Sequence, residues 1–217
     1  MTRQGEQLMT MLSQGMEELL PEKGERKIVV AALEVFAKKG LAGAKISDIA
    51  ACAGFSQGFV YNYFKSKDDI FTRIVSLAAD GAGETARKAA ALPGTPYERI
   101  YWMTEALLNP DSIAMQHWRL IMLQVSTSEA VPEQARRVAR EKIGKPFEHF
   151  VPLIAEGQRL GEIVREDPLM LAITYFSMVQ GLGITRMQGS REMPFPTTAM
   201  VLSFLRAPGR DPEPRQD

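Results

Sequence analysis

The chain has 217 residues, of which 45% are hydrophobic and 24% charged, the composition of a globular protein with one large domain or two small ones. Its 26 basic and 26 acidic residues balance, so whole-chain charge does not indicate a nucleic-acid partner, and any positive surface must come from local clustering. The single cysteine, Cys52, excludes an intramolecular disulfide framework and favours a reducing cytoplasm. The first twenty residues lack the apolar core of a signal peptide, so we expect a cytoplasmic protein.

Nearly every segment has the periodicity of a helix, and none alternates like a strand with hairpin turns, so we predict an all-α fold. In the N-terminal part the predicted helices cover residues 22–39, 46–53 and 57–64, with a fourth from residue 67. Gly40 and Gly54 are the predicted stops of the first two helices. Ser56 and Ser66 are the predicted N-caps of the third and fourth helices, because a serine hydroxyl can accept from the exposed amides of a first turn.

The C-terminal part is predicted to be a larger helical unit. Its predicted helices cover residues 97–108, 111–127, 132–160, 168–187 and 197–205. Pro146 and Pro152 predict a kink or a split in the third of these helices, because proline removes a backbone donor. Asp167 followed by Pro168 is a strong start signal for the fourth. The remaining segments, 190–196 and 207–217, are predicted to be a loop and a disordered tail.

One segment raises the possibility of a membrane span. Residues 168–185 are 18 consecutive uncharged residues, the length at which a span becomes possible. Polar residues interrupt the segment, among them Thr174, Ser177 and Gln180. A helix that is apolar on every face is also typical of a buried core or of a dimer interface. We therefore predict no membrane partner.

Three short helices in tandem, the second and third joined by a tight glycine turn, predict a helix-turn-helix. The third helix has side chains suited to DNA. Gln57 and Asn62 can hydrogen-bond adenine edges in the major groove, and the hydroxyls of Tyr61 and Tyr63 suit phosphate oxygens. Residues 38–67 contain five lysines and one acidic residue, Asp48, a net charge of +4 in a chain whose overall charge is zero. Such a cluster is the electrostatic footprint of DNA contact.

Residues 44–71, AKISDIAACAGFSQGFVYNYFKSKDDIF, resemble the DNA-binding signature of TetR-type (tetracycline-repressor-like) regulators. The matching features are Asp48-Ile49-Ala50, Ala53-Gly54, Ser56, Gly58, Tyr61, Tyr63-Phe64, Ser66-Lys67 and Ile70-Phe71. The motif covers residues 25–71, about a quarter of the chain. The rest resembles the family in length, helix count and helix order.

The resemblance implies roles for individual residues. Gln57, Gly58 and Phe59 lie where the recognition helix meets base edges. Tyr61, Tyr63 and Lys67 match positions that hold phosphates, and Asn62 matches a variable contact. The full predicted DNA-contact set is Lys45, Ser47, Ser56, Gln57, Gly58, Phe59, Tyr61, Asn62, Tyr63, Lys65 and Lys67.

Two departures from the family pattern stand out. Lys45 occupies the start of the second helix, where the family generally has threonine, so a cap is lost and a cation that can reach a phosphate is gained. Phe59 replaces a residue that is commonly small or hydroxylated, so a contact with a thymine methyl group is conceivable and the family's target sequences are not transferable. Other roles stay open: Tyr61 as a partly buried core residue, and Gly54 and Gly58 as purely structural glycines.

The larger unit is where the resemblance places an effector cavity. The predicted ligand contacts are Trp102, Met103, Met115, His117, Trp118, Met122, Phe147, Phe150, Tyr175, Phe176 and Met178. These large, adaptable side chains favour a mainly apolar small molecule. Taken singly, most of them are equally well explained as ordinary core residues.

The apolar helix at 168–187 must bury two faces, which predicts a homodimer. The stripe that faces the interior could consist of Leu169, Ile173, Phe176 and Gln180, or it could be the opposite stripe. The predicted dimer contacts are Met170, Thr174, Met178, Gly181, Val201, Leu202, Phe204 and Leu205. A two-fold dimer would present two recognition helices to a palindromic operator.

These inferences divide the chain into an N-terminal extension (residues 1–20), a helix-turn-helix domain (21–68), a ligand-binding and dimerisation domain (69–207) and a tail (208–217). Leu8 and Leu12 make the extension loosely amphipathic, which suits a partner-binding helix, disorder or packing on its own domain equally. The sequence predicts a dimeric, ligand-responsive transcriptional regulator, with repression favoured and activation left open. The alternative is a helical small-molecule carrier or an enzyme on the same fold.

No catalytic group of residues supports an enzyme. His117 and His149 have no metal-ligand spacing around them, and Gly81 and Gly83 lie inside a predicted helix with no strand before it, unlike a phosphate-binding loop. We therefore expect no catalysis, no metal and no cofactor. A redox role for Cys52 is conceivable, although no second cysteine could resolve an oxidised thiol.

Overall fold

The computed structural model describes residues 19–20, 22–109, 113–188 and 193–209, and of residues 113–117 and 188 the backbone alone. Within these ranges the chain forms α-helices and no strand, with one isolated antiparallel bridge between Ile163 and Arg206. The helices are α1 (Lys23–Gly43), α2 (Ile46–Ala53), α3 (Gln57–Tyr61), α4 (Lys67–Ala90), α5 (Pro96–Leu107), α6 (Ile113–Thr127), α7 (Glu133–Lys142), α8 (Lys145–Arg159), α9 (Pro168–Gln188) and α10 (Thr198–Val201). The predicted all-α fold is confirmed. Most of the N-terminal extension and of the tail lies outside the described residues.

The described residues group into two compact units. The first unit takes its residues from Thr10–Glu84 and Pro110–Lys145, and the second from Thr85–Asn109 and Pro146–Asp217. This grouping does not coincide with the predicted boundary at residue 68, since residues 69–84 and 110–145 belong to the same unit as the helix-turn-helix. The predicted domain limits therefore stay a prediction.

The first unit is built around a hydrophobic core that joins α1, α2, α3, α4 and α6. Phe36 and Phe71 are fully buried in it and make an edge-to-face contact with ring centroids 5.4 Å apart. Ile49 of α2 and Val60 of α3 are also fully buried. Each short helix thus has a buried anchor in a common core, which holds its remaining side chains in fixed directions.

Helix ends in the first unit follow from glycine geometry and serine caps. Gly54 has φ +71°, in the left-handed region that favours glycine, and it ends α2 at the predicted residue. Gly40 has φ +66° and breaks the helical path of α1, which makes one further turn to Gly43. Ser66 caps α4 by accepting from the Asp69 amide at 3.1 Å, as predicted.

Two predicted elements have different bounds. The helix predicted over residues 132–160 is split at Ile143–Gly144, so that Pro146 falls in the first turn of α8, where its missing donor costs nothing. Pro152 lies inside α8 without breaking it. The last predicted helix is a single α-turn, α10, followed by a 3-10 turn at Ser203–Leu205.

In the second unit, Asp167 caps α9 as predicted, accepting from the amides of Leu169 at 2.8 Å and Met170 at 3.0 Å. By length and composition α9 could cross a membrane, and only 28% of its apolar window is buried inside the protomer. Ala172 and Tyr175 are fully buried and define its inner face. The helix therefore leaves most of its surface uncovered, including the large apolar side chains of Leu169, Met170 and Ile173.

The burial pattern of α9 corrects one orientation considered from sequence. Leu169 is 43% and Ile173 42% exposed, and Gln180 is also exposed, so these side chains do not face the interior. The predicted dimer contacts Met170, Thr174 and Gly181 are exposed, and Met178 is half-buried. In the C-terminal turns Val201, Leu202 and Leu205 are buried within the protomer and Phe204 is half-buried. Of those four side chains, Phe204 alone retains surface for a partner.

Candidate nucleic-acid interface

Helix α3 is held by one buried side chain and presents most of the others to solvent. Ser56 caps it, accepting from the Phe59 amide at 3.2 Å, which confirms the predicted cap. Val60 is fully buried, whereas the neighbouring Tyr61 is 54% exposed. Tyr61 therefore does not belong to the core, and α3 is anchored on one side and open on the other.

The helix is shorter than predicted, since it ends at Tyr61 and not at residue 64. Asn62 and Tyr63 donate to the carbonyls of Phe59 and Val60, three residues back, which tightens the chain into a turn. This turn directs Phe64 into the core, where it is 5% exposed.

The predicted DNA-contact residues cluster on the outside of the helix-turn-helix. Nine of the eleven are exposed: Lys45, Ser47, Ser56, Gln57, Gly58, Tyr61, Asn62, Tyr63 and Lys65. Phe59 and Lys67 are half-buried. The exposed members combine amide, hydroxyl and ammonium groups, which are the groups that hydrogen-bond base edges and phosphates.

The start of α2 is fixed by Asp48. Its carboxylate accepts from the Lys45 amide at 3.2 Å and pairs with the Lys39 ammonium at 2.9 Å. The hydrogen bond from Lys39 is the main reason why the pKa of this carboxyl lies below its usual value. Asp48 thus holds the backbone of Lys45 at the start of α2, whereas the side-chain cap that a threonine would supply is not formed, and the Lys45 side chain is exposed.

Phe59 lies in an aromatic stack along the inner edge of α3. Its ring centroid is 4.3 Å from that of Phe55 and 5.4 Å from that of Tyr63, and the Lys27 ammonium lies 5.7 Å from the Phe55 ring. Because Phe59 also packs against the core of the first unit, its ring supports the helix from the side. A base contact by this ring, as predicted, would use only its remaining exposed edge.

Lys67 differs from the other predicted phosphate ligands. Its ammonium donates to the carbonyls of Leu41 at 2.8 Å, Ala42 at 3.1 Å and Ala44 at 3.1 Å. These three carbonyls lie at the end of α1 and in the turn that leads to α2. All three N–H donors of the ammonium therefore have protein acceptors.

Sequence reasoning missed Gln124 of α6. Its side-chain oxygen accepts from the Leu41 amide at 3.1 Å, and its side-chain amide donates to the Phe36 carbonyl at 3.1 Å. The two bonds bridge the break in α1 at Gly40. No local pattern could have identified this residue, because its partners lie more than 80 positions away in the chain.

Cys52 is exposed on α2, and its thiol lies 3.6 Å from the Glu34 carboxylate. Partial burial first, and the negative charge of Glu34 second, raise the pKa of this thiol. The thiolate, the reactive form, is therefore disfavoured.

Among the predicted ligand contacts, four aromatic residues of the second unit come together. Phe150 stacks on Tyr175 with centroids 4.5 Å apart, and Phe176 lies 5.0 Å from Phe150 and 5.4 Å from Phe147. The Thr104 hydroxyl lies 2.8 Å from that of Tyr175 and donates to the Ile100 carbonyl at 2.7 Å. Because Thr104 uses its hydrogen on Ile100, Tyr175 must be the donor between the two hydroxyls. Complete burial raises the pKa of Tyr175.

The remaining predicted ligand contacts are more scattered. Trp102 is 5% exposed and Met103 fully buried, both on α5 in the second unit. Trp118 and Met122 lie on α6 in the first unit, where Trp118 packs against the hydrophobic core. The side chains of Met115 and His117 lie outside the described residues.

Among the residues that the structure describes, no three His, Cys, Asp or Glu side chains converge as ligands for a metal ion.

Comparison with known proteins agrees with this geometry. The model of the bacterial regulatory proteins of the tetR family matches residues 28–74, the segment that contains most of α1, all of α2 and α3, and the start of α4. The chain is 32% identical over 76 residues to the HTH-type transcriptional regulator AcrR of Shigella flexneri, a match that spans 35% of each chain. It therefore covers about a third of the length of that relative.

Longer matches extend the likeness beyond the helix-turn-helix. The chain is 26% identical over 155 residues to the HTH-type transcriptional repressor SCO4008 of Streptomyces coelicolor, covering 68% of this chain and 71% of that one. The structure of a transcriptional regulator from Saccharomonospora viridis in complex with choline superposes with a TM-score of 0.68 at 23% identity, covering 83% of this chain and 92% of that one. At this identity the superposition shows a shared fold and does not transfer the ligand. With the helix-turn-helix formed and its polar face exposed, these matches show that residues 28–74 resemble the DNA-binding segment of the tetR-family regulatory proteins, and that the fold beyond this segment is shared with such regulators.

Proposed function

We propose that the protein is a ligand-responsive repressor that binds a palindromic operator as a homodimer in the cytoplasm and is released from it by a mainly apolar small molecule. The observation that carries the proposal is the exposed polar face of α3. The helix is anchored by buried Val60, and a serine cap and a glycine turn precede its first residue. A short helix with this face fits the major groove, where amide side chains can hydrogen-bond adenine.

The exposed residues divide by chemistry into two kinds of DNA contact. Gln57 and Gly58 in the first turn of α3, with Asn62 at its end, are proposed to meet base edges. Tyr61 and Lys65 are proposed to hold phosphates, with Tyr63, Lys45 and Ser47 at the margins of the interface. Phosphate contacts fix the orientation on the duplex and base contacts supply sequence preference.

The dimer is proposed to form through the uncovered face of α9. Met170 is 53%, Leu169 43% and Ile173 42% exposed on this face, and Met200 of α10 is 65% exposed. Large apolar side chains grouped in this way mark a protein interface in a soluble protein. A two-fold pairing of α9 would cover them and would explain why a helix with membrane-like composition belongs to a DNA-binding regulator.

The effector is proposed to contact Trp102 and the aromatic cluster of the second unit. The indole N–H of Trp102 and the Nε–H of Arg99 are both buried, and neither meets an acceptor among the described residues. The two residues are three positions apart on α5 and so share a helix face. Buried donors without acceptors are costly. A mainly apolar ligand with one accepting oxygen would satisfy them, while its body lies against aromatic rings.

Release is proposed to follow from a shift in the position of α4. This helix runs from the helix-turn-helix into the second unit. An effector that binds one conformer of the second unit more tightly would favour the matching position of α4, and DNA affinity would fall by the same differential free energy.

The experiment that tests the proposal is selection of binding sites from random duplex DNA by the full-length protein. The expected result is a palindromic site bound by two protomers, with an affinity that falls steeply as salt concentration rises. Recovery of no preferred sequence, together with no retention on duplex DNA at low salt, would contradict the proposal and favour a carrier.

The effector assignment has its own test in tryptophan fluorescence. Compounds that release the protein from its selected site are titrated into the single-tryptophan variants Trp118→Phe and Trp102→Phe. The variant that retains Trp102 is expected to respond. A response confined to Trp118 would place the effector site in the first unit. No response in either variant would show that the effector binds near neither tryptophan.

A further inference from the structure

Lys67 is the first residue of α4, and the position of its ammonium is difficult to reconcile with a contact to DNA. The ammonium is surrounded by the carbonyls of Leu41, Ala42 and Ala44 at 2.8–3.1 Å, and its side chain is half-buried. An ammonium has three hydrogens to donate, and all three have acceptors here. A phosphate would have to replace acceptors that are already in place.

The carbonyls that bind Lys67 have few other candidates for a partner. Helix α1 ends at Gly43, so the carbonyls of Leu41 and Ala42 in its last turn have no intrahelical donor. A lysine near a helix C-terminus can hydrogen-bond such carbonyls and is favoured by their partial negative charge. Moving the Lys67 ammonium to DNA would leave several of these oxygens without a charged donor.

The segment that Lys67 holds determines where the helix-turn-helix lies. It consists of residues 41–44, directly before Lys45 and α2, and Gln124 holds the other side of the same segment through the Leu41 amide. Lys67 therefore ties the beginning of α4 to the beginning of α2. A shift of α4 would pull this segment and, through it, α2 and α3.

Lys65 provides the contrast within the same turn. Its backbone amide donates to the Asp69 carboxylate at 3.1 Å, while its side chain is exposed. Among the described residues nothing accepts a hydrogen bond from its ammonium. Two lysines that look equivalent in the sequence thus differ in whether their charge is available to a phosphate.

We propose that Lys67 is a positioning residue that locks α4 to the α1–α2 turn, and that it holds no phosphate in the operator complex. This inference rests on the proposed function, since it concerns how the helix-turn-helix is held for DNA. It assigns the neutralisation of phosphate at this corner of the protein to Lys65, and it makes Lys67 the link through which movement of α4 reaches the recognition helix.

The test compares Lys67→Met with the matched variant Lys65→Met on the selected operator and on an unrelated duplex, over a range of salt concentrations. Circular dichroism fixes a temperature at which every variant is fully folded. Lys67→Met is expected to bind the operator at least about tenfold more weakly, because misplaced base contacts cost discrimination. It should bind the unrelated duplex as wild type does and keep the wild-type salt slope.

Lys65→Met is expected to behave in the opposite way. Its salt slope should become shallower by about 0.9 for each phosphate that is no longer neutralised, hence by about 1.8 for a dimer. Its affinities for the operator and for the unrelated duplex should fall by the same factor. A slope for Lys67→Met that is shallower by the same amount, or a Lys67→Met protein that is folded and binds as wild type does, would overturn the proposal.

A measurement on the wild-type protein keeps the proposal testable if Lys67→Met does not fold. Lysine reactivity towards acetic anhydride is followed by mass spectrometry with and without operator. Lys67 is expected to react slowly in both states, and Lys65 to react readily alone and to be protected by DNA. Protection of Lys67 by DNA from a reactive free state would overturn the inference alone, whereas no protection of any lysine in α1–α4 would count against the proposed function.

Discussion

Helices α3 and α9 both leave large side chains uncovered, but with opposite chemistry. The exposed residues of α3 are an amide, a glycine and a tyrosine, whereas those of α9 include Leu169, Met170 and Ile173. A polar face beside a local excess of lysine suits a hydrated, charged partner such as DNA. An apolar face of this size suits a partner whose contact excludes water. Exposure alone does not identify a partner, whereas the chemistry of the exposed side chains does.

The two helices also differ in how they are supported. Helix α3 has five residues and depends on Val60, the Ser56 cap and the Phe55–Phe59–Tyr63 stack for its position. Helix α9 has 21 residues and packs its own inner face through Ala172 and Tyr175. Changes around α3 should therefore alter DNA binding through geometry, and changes on α9 should act through assembly.

The largest expected effect comes from a charge on the outer face of α9. Met170→Lys should prevent dimer formation, because two ammonium groups would be buried without partners in the interface. Operator affinity should fall about 100-fold or more, since each protomer would bind a half-site alone. Sedimentation velocity and fluorescence anisotropy measure the two effects. Ile143→Lys, at a position that is 72% exposed in the turn before α8, is the control and should change neither.

Neighbouring residues of α3 should respond in opposite ways. Val60→Ala should lower the free energy of unfolding by about 2 kcal/mol, because it removes two buried methyl groups. Tyr61→Phe should leave the free energy of unfolding within about 0.5 kcal/mol of wild type and weaken all duplexes by about tenfold, because a hydrogen bond to phosphate is removed. Urea denaturation and DNA titration distinguish them. A Tyr61→Phe protein that is destabilised and binds DNA normally would place this side chain in the core.

Gln57→Ala should change which bases are preferred. Removal of a bidentate amide contact costs about 1–3 kcal/mol of discrimination at one position of the half-site, and binding to unrelated duplexes should be nearly unchanged. Repeating the selection from random duplexes with the variant measures this. An unaltered preferred site would remove Gln57 from the base contacts.

The ion pairs of Asp80 give the first unit a dependence on pH. Burial raises the pKa of this carboxyl, but the hydrogen bonds from Lys142, at 2.6 Å, and from Lys145 outweigh it, so the net pKa is lowered. A lowered folded-state pKa stabilises the fold above the ordinary value near 4, and this stabilisation is lost as pH falls below it. Asp80→Asn should destabilise the protein by about 1 kcal/mol at pH 7 and by less at pH 3. Equal destabilisation at both pH values in urea denaturation would contradict the pairing.

The smallest expected effect concerns Tyr63 and the start of α1. A Cβ at Gly24 would lie 2.4 Å from the Tyr63 hydroxyl, so Gly24→Ala should push this side chain away from α1. Because the displaced atoms are the end of a mobile side chain, the protein should keep its stability and bind DNA a few-fold more weakly. Gly144→Ala, in the turn before α8, where no atom lies within 4 Å of the added Cβ, is the control. Equal affinities of the two variants would remove Tyr63 from the interface.

Local signals predicted much of the fold. The bounds of α2, the caps at Ser56, Ser66 and Asp167 and the stop at Gly54 depend on residues within four positions of one another, so the sequence alone contained them. The predictions were less accurate for the end of α3 and for the position of the split near Ile143. Both depend on how a few residues turn the chain back into the core, which periodicity does not report.

The exposed face of α3 was predictable for the same reason, since its polar residues are unsuited to burial. The exceptions are Phe59 and Lys67, whose surroundings come from elsewhere. Phe59 is covered by rings that lie beside it only when α3 is folded, and Lys67 meets carbonyls 23–26 positions earlier in the chain. The role of Gln124 depends on contacts over more than 80 positions. The roles of residues that depend on distant backbone groups could not be predicted from the sequence.

The most direct test of the central claim is amide hydrogen exchange of the full-length protein with and without its selected duplex. We expect DNA to slow exchange in α2, α3 and the turn between them, and to leave the amides of α9 unchanged in the dimer. Slowed exchange in α9 with none in α3 would contradict the account, because the polar helix would then not be the surface that meets DNA.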